Sequence, residues 1–362
     1  MILTNSNKKQ TLTINLKKTT RVIIFIFLCL IGNAQVNGID IFLLAAPLYL
    51  LTIDHNKTTV NNNMLLVYLI TCLLFTAITY QAYSINQNYF NNYGIWPIKT
   101  LILIAIATHQ LNSIENKREI NALAGTILVL FCVSLTATGT YIDGRLYSVF
   151  GPNMLYRFFI SIAILLYVQG PLTPPILKFI LPSILLYFTA LTGSTASIVV
   201  LTLSSIYLKI ITKKNIILIL FILFILFITT DTSNFTLLSR ALSKILNFNE
   251  IERINAWNEL ITTTNLFKSS SYSDYAYLWS EGFKYPHNII IELIVFYGTS
   301  GILLTTIFFL ALLKCRNNTV THILFIVIFI SSNFSGDLSD NYSAIALSFA
   351  LSFSLLKNKP RQ

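Results

Sequence analysis

The stretch Pro286-His-Asn-Ile-Ile-Ile-Glu-Leu-Ile-Val-Phe-Tyr-Gly-Thr-Ser-Gly301, continued by Ile302-Leu-Leu-Thr-Thr-Ile-Phe-Phe-Leu-Ala-Leu-Leu313, decides how the chain is read. From 288 to 313 it is apolar almost throughout, and a helix needs about 20 such residues to cross the hydrocarbon core of a bilayer. Working outward, runs of the same kind stand at about 22–35, 39–53, 64–82, 95–110, 121–138, 154–170, 174–190, 195–211, 215–229, 319–332 and 342–356. The expectation is an all-α polytopic integral membrane protein of about 12 transmembrane helices with one long outer loop that contains short helices.

Composition agrees. Of 362 residues, 54% are hydrophobic and 11% charged, where soluble domains carry roughly a quarter charged. Mean hydropathy is +0.68. A secreted disulfide scaffold, a cytosolic multidomain enzyme and a disordered tail are excluded. Cys29, Cys72, Cys132 and Cys315 share no motif, so neither a disulfide framework nor a cysteine metal site is read from them. In so apolar a chain the net charge of +11 marks cytoplasmic loops rather than a nucleic-acid partner.

The charge distribution orients the spans. With the N-terminus inside, Lys8, Lys9, Lys17, Lys18, Arg21, Lys57, Lys117, Arg118, Lys209, Lys213, Lys214, Lys314, Arg316, Lys357, Lys359 and Arg361 all fall on the inner side. Lys99, Arg145 and Arg157 are the basic residues in or beside the short outer loops. Both termini are therefore expected in the cytoplasm. Val22–Ile31 reads as the first span rather than a cleaved signal, because more apolar sequence follows. The expected division is nine spans over 1–229, a periplasmic segment 230–287, and three spans with a cytoplasmic tail over 288–362.

The loop proper, residues 231–286, departs from the short connections elsewhere, and a loop of that length with its own pattern is usually functional. A helix is expected over Thr236–Leu246 and an amphipathic stretch over Glu250–Thr263, with Ile251, Ile254 and Ile261 near helical spacing. Ser271–Pro286 is rich in tyrosine, most simply an interfacial aromatic belt.

Charged groups in or beside spans are costly and become functional candidates. They gather at the outer face: Arg145 and Arg157 flank one loop, Arg240 and Arg253 lie in the long loop, and His287, Asn288 and Glu292 open the tenth span. An outer-loop arginine is most simply a snorkelling or salt-bridged residue. The functional alternative is phosphate binding through its planar fork. A histidine after proline is most simply a capping or interface residue; it is also the side chain that serves as a base near neutral pH without help. Gly298 and Gly301 read as sites of close helix packing. Mid-membrane charge and repeat symmetry are lacking, which counts against a transporter or flippase; the one-sided Arg/His cluster counts against a scaffold without catalysis.

These residues resemble the bacterial O-antigen polymerases and the related O-antigen ligases, and the resemblance extends over the whole layout. His287-Asn288, nine residues, Gly298, two residues and Gly301 is similar to that superfamily's His-Asn…Gly-x-x-Gly signature. Gly144-Arg145 through Phe150-Gly-Pro-Asn153 is similar to the arginine-bearing outer loop of the polymerases, and Glu252-Arg253…Trp257 to the family's Arg-x-x-x-Trp helix. One departure stands out: where the family often has Ser-Arg-Gly after the seventh span, this chain has Leu191-Thr-Gly-Ser-Thr-Ala196, so Arg157 or Arg240 would have to substitute.

The resemblance implies glycosyl transfer from an undecaprenyl-diphosphate-linked oligosaccharide at the periplasmic face of the inner membrane. The acceptor is a lipid-linked repeat unit for a polymerase, lipid A–core for a ligase. His287 would be the base; Arg145, Arg253, Arg157, Arg240, Asn288 and Glu292 would bind substrate. No cofactor or metal is implied, since neither Asp-x-Asp nor a carboxylate cluster appears. Membrane lipid, a chain-length regulator and a flippase are the implied partners.

Overall fold

Asn288, Asp40 and Thr319 each stand just before an apolar run and accept from the first free N–H groups of the helix that follows. That is why those helices begin where they do. The structure, a computed structural model, describes residues 6–36, 39–53, 68–73, 75–77, 79–80, 95–113, 118–142, 145–169, 177–209, 252–270, 287–314, 319–336 and 340–354. Its helices are α1 (Ser6–Ile31), α2 (Ile41–Leu51), α3 (Trp96–Ser113), α4 (Arg118–Ala137), α5 (Pro152–Gln169), α6 (Leu177–Leu191), α7 (Thr195–Tyr207), α8 (Glu252–Thr263), α9 (Ile289–Tyr297), α10 (Thr299–Lys314), α11 (Val320–Ser332) and α12 (Tyr342–Ser354). Two antiparallel hairpins interrupt them, which the all-α expectation lacked: β1 (Gln35–Val36) with β2 (Ile39–Asp40), and β3 (Thr140–Ile142) with β4 (Arg145–Tyr147).

The chain divides into two compact units. The first takes Met1–Thr58, Asn112–Ser194 and Ser205–Asp231. Here α1 packs on α2, α4 and α5, and α5 packs on α4 and α6. Phe27 meets Phe131 edge-on at 5.1 Å between centroids and stacks on Phe158 at 5.9 Å, joining three helices through one aromatic cluster. Gly125 lets α4 close on α5: a Cβ there would stand 2.6 Å from Leu166 Cδ2. Arg21 of α1 is buried and bonds to Thr52 at the end of α2.

The second unit takes Thr59–Leu111, Thr195–Ser204 and Thr232–Gln362. In it α8 packs on α9, α9 on α10, and α12 on both α10 and α11. Of the α11 residues, all but Ile330 are buried, as expected of a helix apolar all round. Phe308 of α10 lies 5.1 Å from Phe329 and 6.5 Å from Phe325. Lys99 of α3 is buried, with Nζ 5.8 Å from the centroid of the Tyr342 ring.

Where they are described, the apolar runs recur as helices within a few residues. Among the described residues no helix is long and apolar enough to cross a membrane, which overturns the twelve-span polytopic reading. The reason is length in some helices and charge in others. The expected span 39–53 is the 11-residue α2, and α11 and α12 have 13 residues each. At about 1.5 Å per residue, 13 residues rise roughly 20 Å, against about 30 Å of hydrocarbon. Of the longer helices, α1 carries Lys8, Lys9, Lys17, Lys18 and Arg21, and the apolar run of α3 is bounded by Lys99 at one end and by His109, Gln110, Asn112 and Ser113 at the other. The stretch 288–313 is two helices, of 9 and 16 residues, broken at Gly298. The expected span 215–229, the helix at 236–246 and the tyrosine-rich 271–286 lie outside the described residues.

Candidate functional site

The residues at the start of α9 form the best-defined polar constellation of the second unit. Asn288 is extended (φ −145°, ψ 111°), and its Oδ1 accepts from Ile290 N at 3.0 Å and Ile291 N at 3.1 Å. Asparagine is among the best N-caps because this geometry satisfies N–H groups that have no partner inside the helix, and it stabilises by about 1 kcal/mol. The Asn288 side chain thus holds the helix start. Glu292 follows in the first turn and is fully buried.

His287 precedes the cap with φ 57°, in the left-handed region. A side chain with a Cβ is strained there by roughly 1–2 kcal/mol, so the surrounding structure holds it against a preference. The residue is half-buried, and its Nδ1 is shut off from solvent.

The two glycines of the motif have separate geometric jobs. Gly298 (φ 55°, ψ −129°) ends α9 in a conformation that L side chains rarely adopt, and a Cβ on it would stand 2.7 Å from the Lys268 carbonyl carbon. The backbone that leaves α8 crosses directly over it, and Thr299 Oγ1 donates to the Phe267 carbonyl at 3.0 Å. A Cβ on Gly301 would stand 1.9 Å from the Leu293 carbonyl oxygen. Gly301 therefore lets α10 fold back on α9. The close packing anticipated at these glycines is real, but it joins two halves of one expected span and seats the α8 loop.

The consequence is that α8, the Arg253-x-x-x-Trp257 helix, packs on α9, the helix that His287 and Asn288 introduce. Arg253 sits in the first turn of α8; its side chain lies outside the described residues, and Trp257 is half-buried. Sequence reasoning missed the Phe267-Lys268-Ser269 backbone as part of this corner. The signal available was Gly298 itself, since an obligatory glycine marks a turn or a close approach.

Arg145 and Arg157 belong to the first unit. Arg145 opens β4 opposite Ile142 and is exposed, while Leu146 beside it is buried. Strand alternation turns the two side chains to opposite faces. Arg157 is 7% exposed within α5, so a phosphate would have to enter the helix packing to reach it. Arg240 lies outside the described residues. The structure therefore brings His287, Asn288 and Glu292 together on one helix start, with the Arg253 helix packed against it.

Burial pushes the Cys29 and Cys132 thiols well up from the ordinary range, so neither offers a thiolate near neutral pH. Among the described residues no three His, Cys, Asp or Glu side chains come together as metal ligands. Comparison of the chain with protein-family models, with curated proteins and with solved structures finds no match.

Proposed function

We propose that the chain is an O-antigen polymerase: a glycosyltransferase that moves a growing glycan from undecaprenyl diphosphate onto a lipid-linked repeat unit at the periplasmic face of the bacterial inner membrane. The observation that carries the reading is the backbone of His287. Strained conformations at residues other than glycine cluster where function needs a side chain at a set place. Two described residues other than glycine have a left-handed backbone, Lys209 (φ 53°) and His287 (φ 57°), and the second is the histidine of the signature, directly before a capped helix. A purely structural corner at this position is served better by glycine.

The chemistry follows from the bonds that change. The acceptor hydroxyl gives its proton to the His287 ring as its oxygen bonds to the anomeric carbon. The anomeric C–O bond to the donor diphosphate breaks, and its electron pair leaves with the lipid diphosphate. A general base takes the acceptor proton in its neutral form, and an imidazole is suited to that task. Arginine forks suit the charge that develops on the leaving diphosphate, and Arg253, on the helix that packs against α9, is the side chain proposed for that task. The donor already carries its leaving group, so no nucleotide sugar takes part.

The test is the lipopolysaccharide of a deletion strain. Core that carries a single repeat unit supports the polymerase. Bare core with lipid-linked polymer accumulating replaces it with the ligase, and unchanged lipopolysaccharide removes both.

A further inference from the structure

Little burial holds helix α8 to its unit. Among its described side chains Leu260 alone is buried, whereas six of the nine residues of α9 are. A helix with so small a buried face opens more readily than the one it packs on. A strap follows it, residues 264–270, and its shape is set locally. Asn265 Oδ1 accepts from Phe267 N at 3.1 Å, and the Asn265 carbonyl accepts from Lys268 N at 3.0 Å. The Phe267 ring is 74% exposed, so it does not anchor the strap.

The fastening comes from the other side. The strap backbone passes over Gly298, and the next residue, Thr299, donates from Oγ1 to the Phe267 carbonyl at 3.0 Å across 32 residues of sequence. Thr306, further along α10, bonds back to the Ile302 carbonyl of its own helix. Thr299 is the first residue of α10, where no turn of that helix precedes it, and its hydroxyl is turned to the strap instead.

The strap stands at one end of α8 and Arg253 at the other. From Thr263 back to Arg253 the helix rises about 15 Å, so a tilt of roughly 4° at the strap moves the Arg253 end by about 1 Å. A misplacement of about 1 Å in a reacting constellation costs up to about a hundredfold in rate.

We propose that Thr299 is a positioning residue for the transfer reaction: its hydroxyl latches the strap to the α9–α10 corner and so fixes where the Arg253 end of α8 stands against α9. Its effect on polymer rests on the glycosyl-transfer reading; the latch itself is measured without it.

The experiment compares Thr299→Val, which keeps the shape and removes the hydroxyl, with Thr299→Ser, which keeps the hydroxyl. Hydrogen exchange of the purified full chain reads the latch. In Thr299→Val the amides of α8 and the strap should exchange about fivefold faster, the factor that one hydrogen bond supports. Those of α9 and α10 should not change, and Thr299→Ser should match the parent. Complementation of a deletion strain at matched protein level reads the consequence: Thr299→Val should lose about tenfold or more of the polymer, and Thr299→Ser should restore it. Unaltered exchange in Thr299→Val overturns the proposal. So does acceleration that runs equally through α9 and α10, which would make Thr299 a support of that helix pair. Faster exchange in α8 with full polymer overturns it as well, since Arg253 would then need no latch. A deletion strain with unaltered lipopolysaccharide removes the glycosyl-transfer reading and the positioning role together, and it is told apart from the other failures because it appears before any variant is made.

Discussion

The guanidinium of Arg21 closes the C-terminal end of α2 through Thr52: Nη2 donates to the Thr52 carbonyl oxygen, and Nε donates to Thr52 Oγ1 at 3.3 Å. Both residues are buried. The last carbonyls of a helix lack partners inside it and carry partial negative charge, so a buried cation placed there answers both needs.

Arg21→Ala should therefore cost about 1.5–3 kcal/mol of stability, the range for hydrogen bonds to a charged group. Thr52→Val should cost less, because it leaves the carbonyl contact in place. Thermal unfolding followed by circular dichroism measures both. Equal losses would show that the hydroxyl, rather than the helix end, is what Arg21 holds.

Gly298 and Gly301 tolerate no side chain. Alanine at 301 would drive its Cβ into the Leu293 carbonyl, and alanine at 298 would add strain at φ 55° to a clash with the Lys268 backbone. Each replacement should destabilise by about 3 kcal/mol or more. Limited proteolysis should then cut near residues 264–270 in the variants sooner than in the parent chain. An unaltered cleavage pattern in Gly301→Ala would mean that α9 and α10 do not meet as described.

Replacement of His287 by glycine separates backbone from side chain. The left-handed φ of 57° suits glycine, so His287→Gly should be as stable as the parent or more so by about 1 kcal/mol, yet fail to transfer glycan. His287→Gln should also fail, since an amide cannot take the acceptor proton. Lipopolysaccharide profiles at matched protein levels read both. Substantial polymer from His287→Gln would reduce His287 to positioning the acceptor.

Arg253 stands on the helix that packs against α9. Arg253→Lys keeps the charge and loses the fork, and polymer should fall strongly, with a loss of about 1.5–3 kcal/mol of charge-assisted binding. Polymer is read from lipopolysaccharide profiles at matched protein levels. Full polymer from Arg253→Ala removes it from the reaction.

The cysteines report pH dependence. Burial raises the thiol pKa of Cys29 and of Cys132, and it is the thiolate that reacts with maleimide. In a Cys72→Ser, Cys315→Ser variant neither remaining thiol should label between pH 7 and about 9, since the raised pKa keeps both protonated; unfolding should release both. Labelling of the folded variant at pH 9 would mean that one of the two sites opens.

The positions of the helices were legible in the hydropathy of the sequence; what they do was not. The run 95–110 is α3 and 319–332 is α11, because an apolar stretch bounded by polar residues must be ordered somewhere. The same run does not say whether its cover is lipid or protein, and so 288–313 read as one span when Gly298 breaks it. The backbone approach at Gly301 leaves no trace in hydropathy. The start of α1 at Ser6 was hidden by its lysines, which favour helix as well as water. At the candidate site, Asn288 was legible as a helix opener because its side-chain chemistry is local. The left-handed backbone of His287 and the crossing of the α8 loop depend on residues far apart in sequence, and nothing in the motif's spacing encodes them.

The burial of α11 on every side bears on how the chain is made. Its aromatic contacts come from α10, already synthesised, but α12, which packs along it, follows it in the chain. Until residue 354 has left the ribosome, a 13-residue segment without acidic or basic residues other than His322 waits for that cover. A stop codon anywhere between 336 and 342 would release a chain that lacks this cover. Helix α12 is therefore what closes over α11, and quality control would meet such a premature stop as an exposed core.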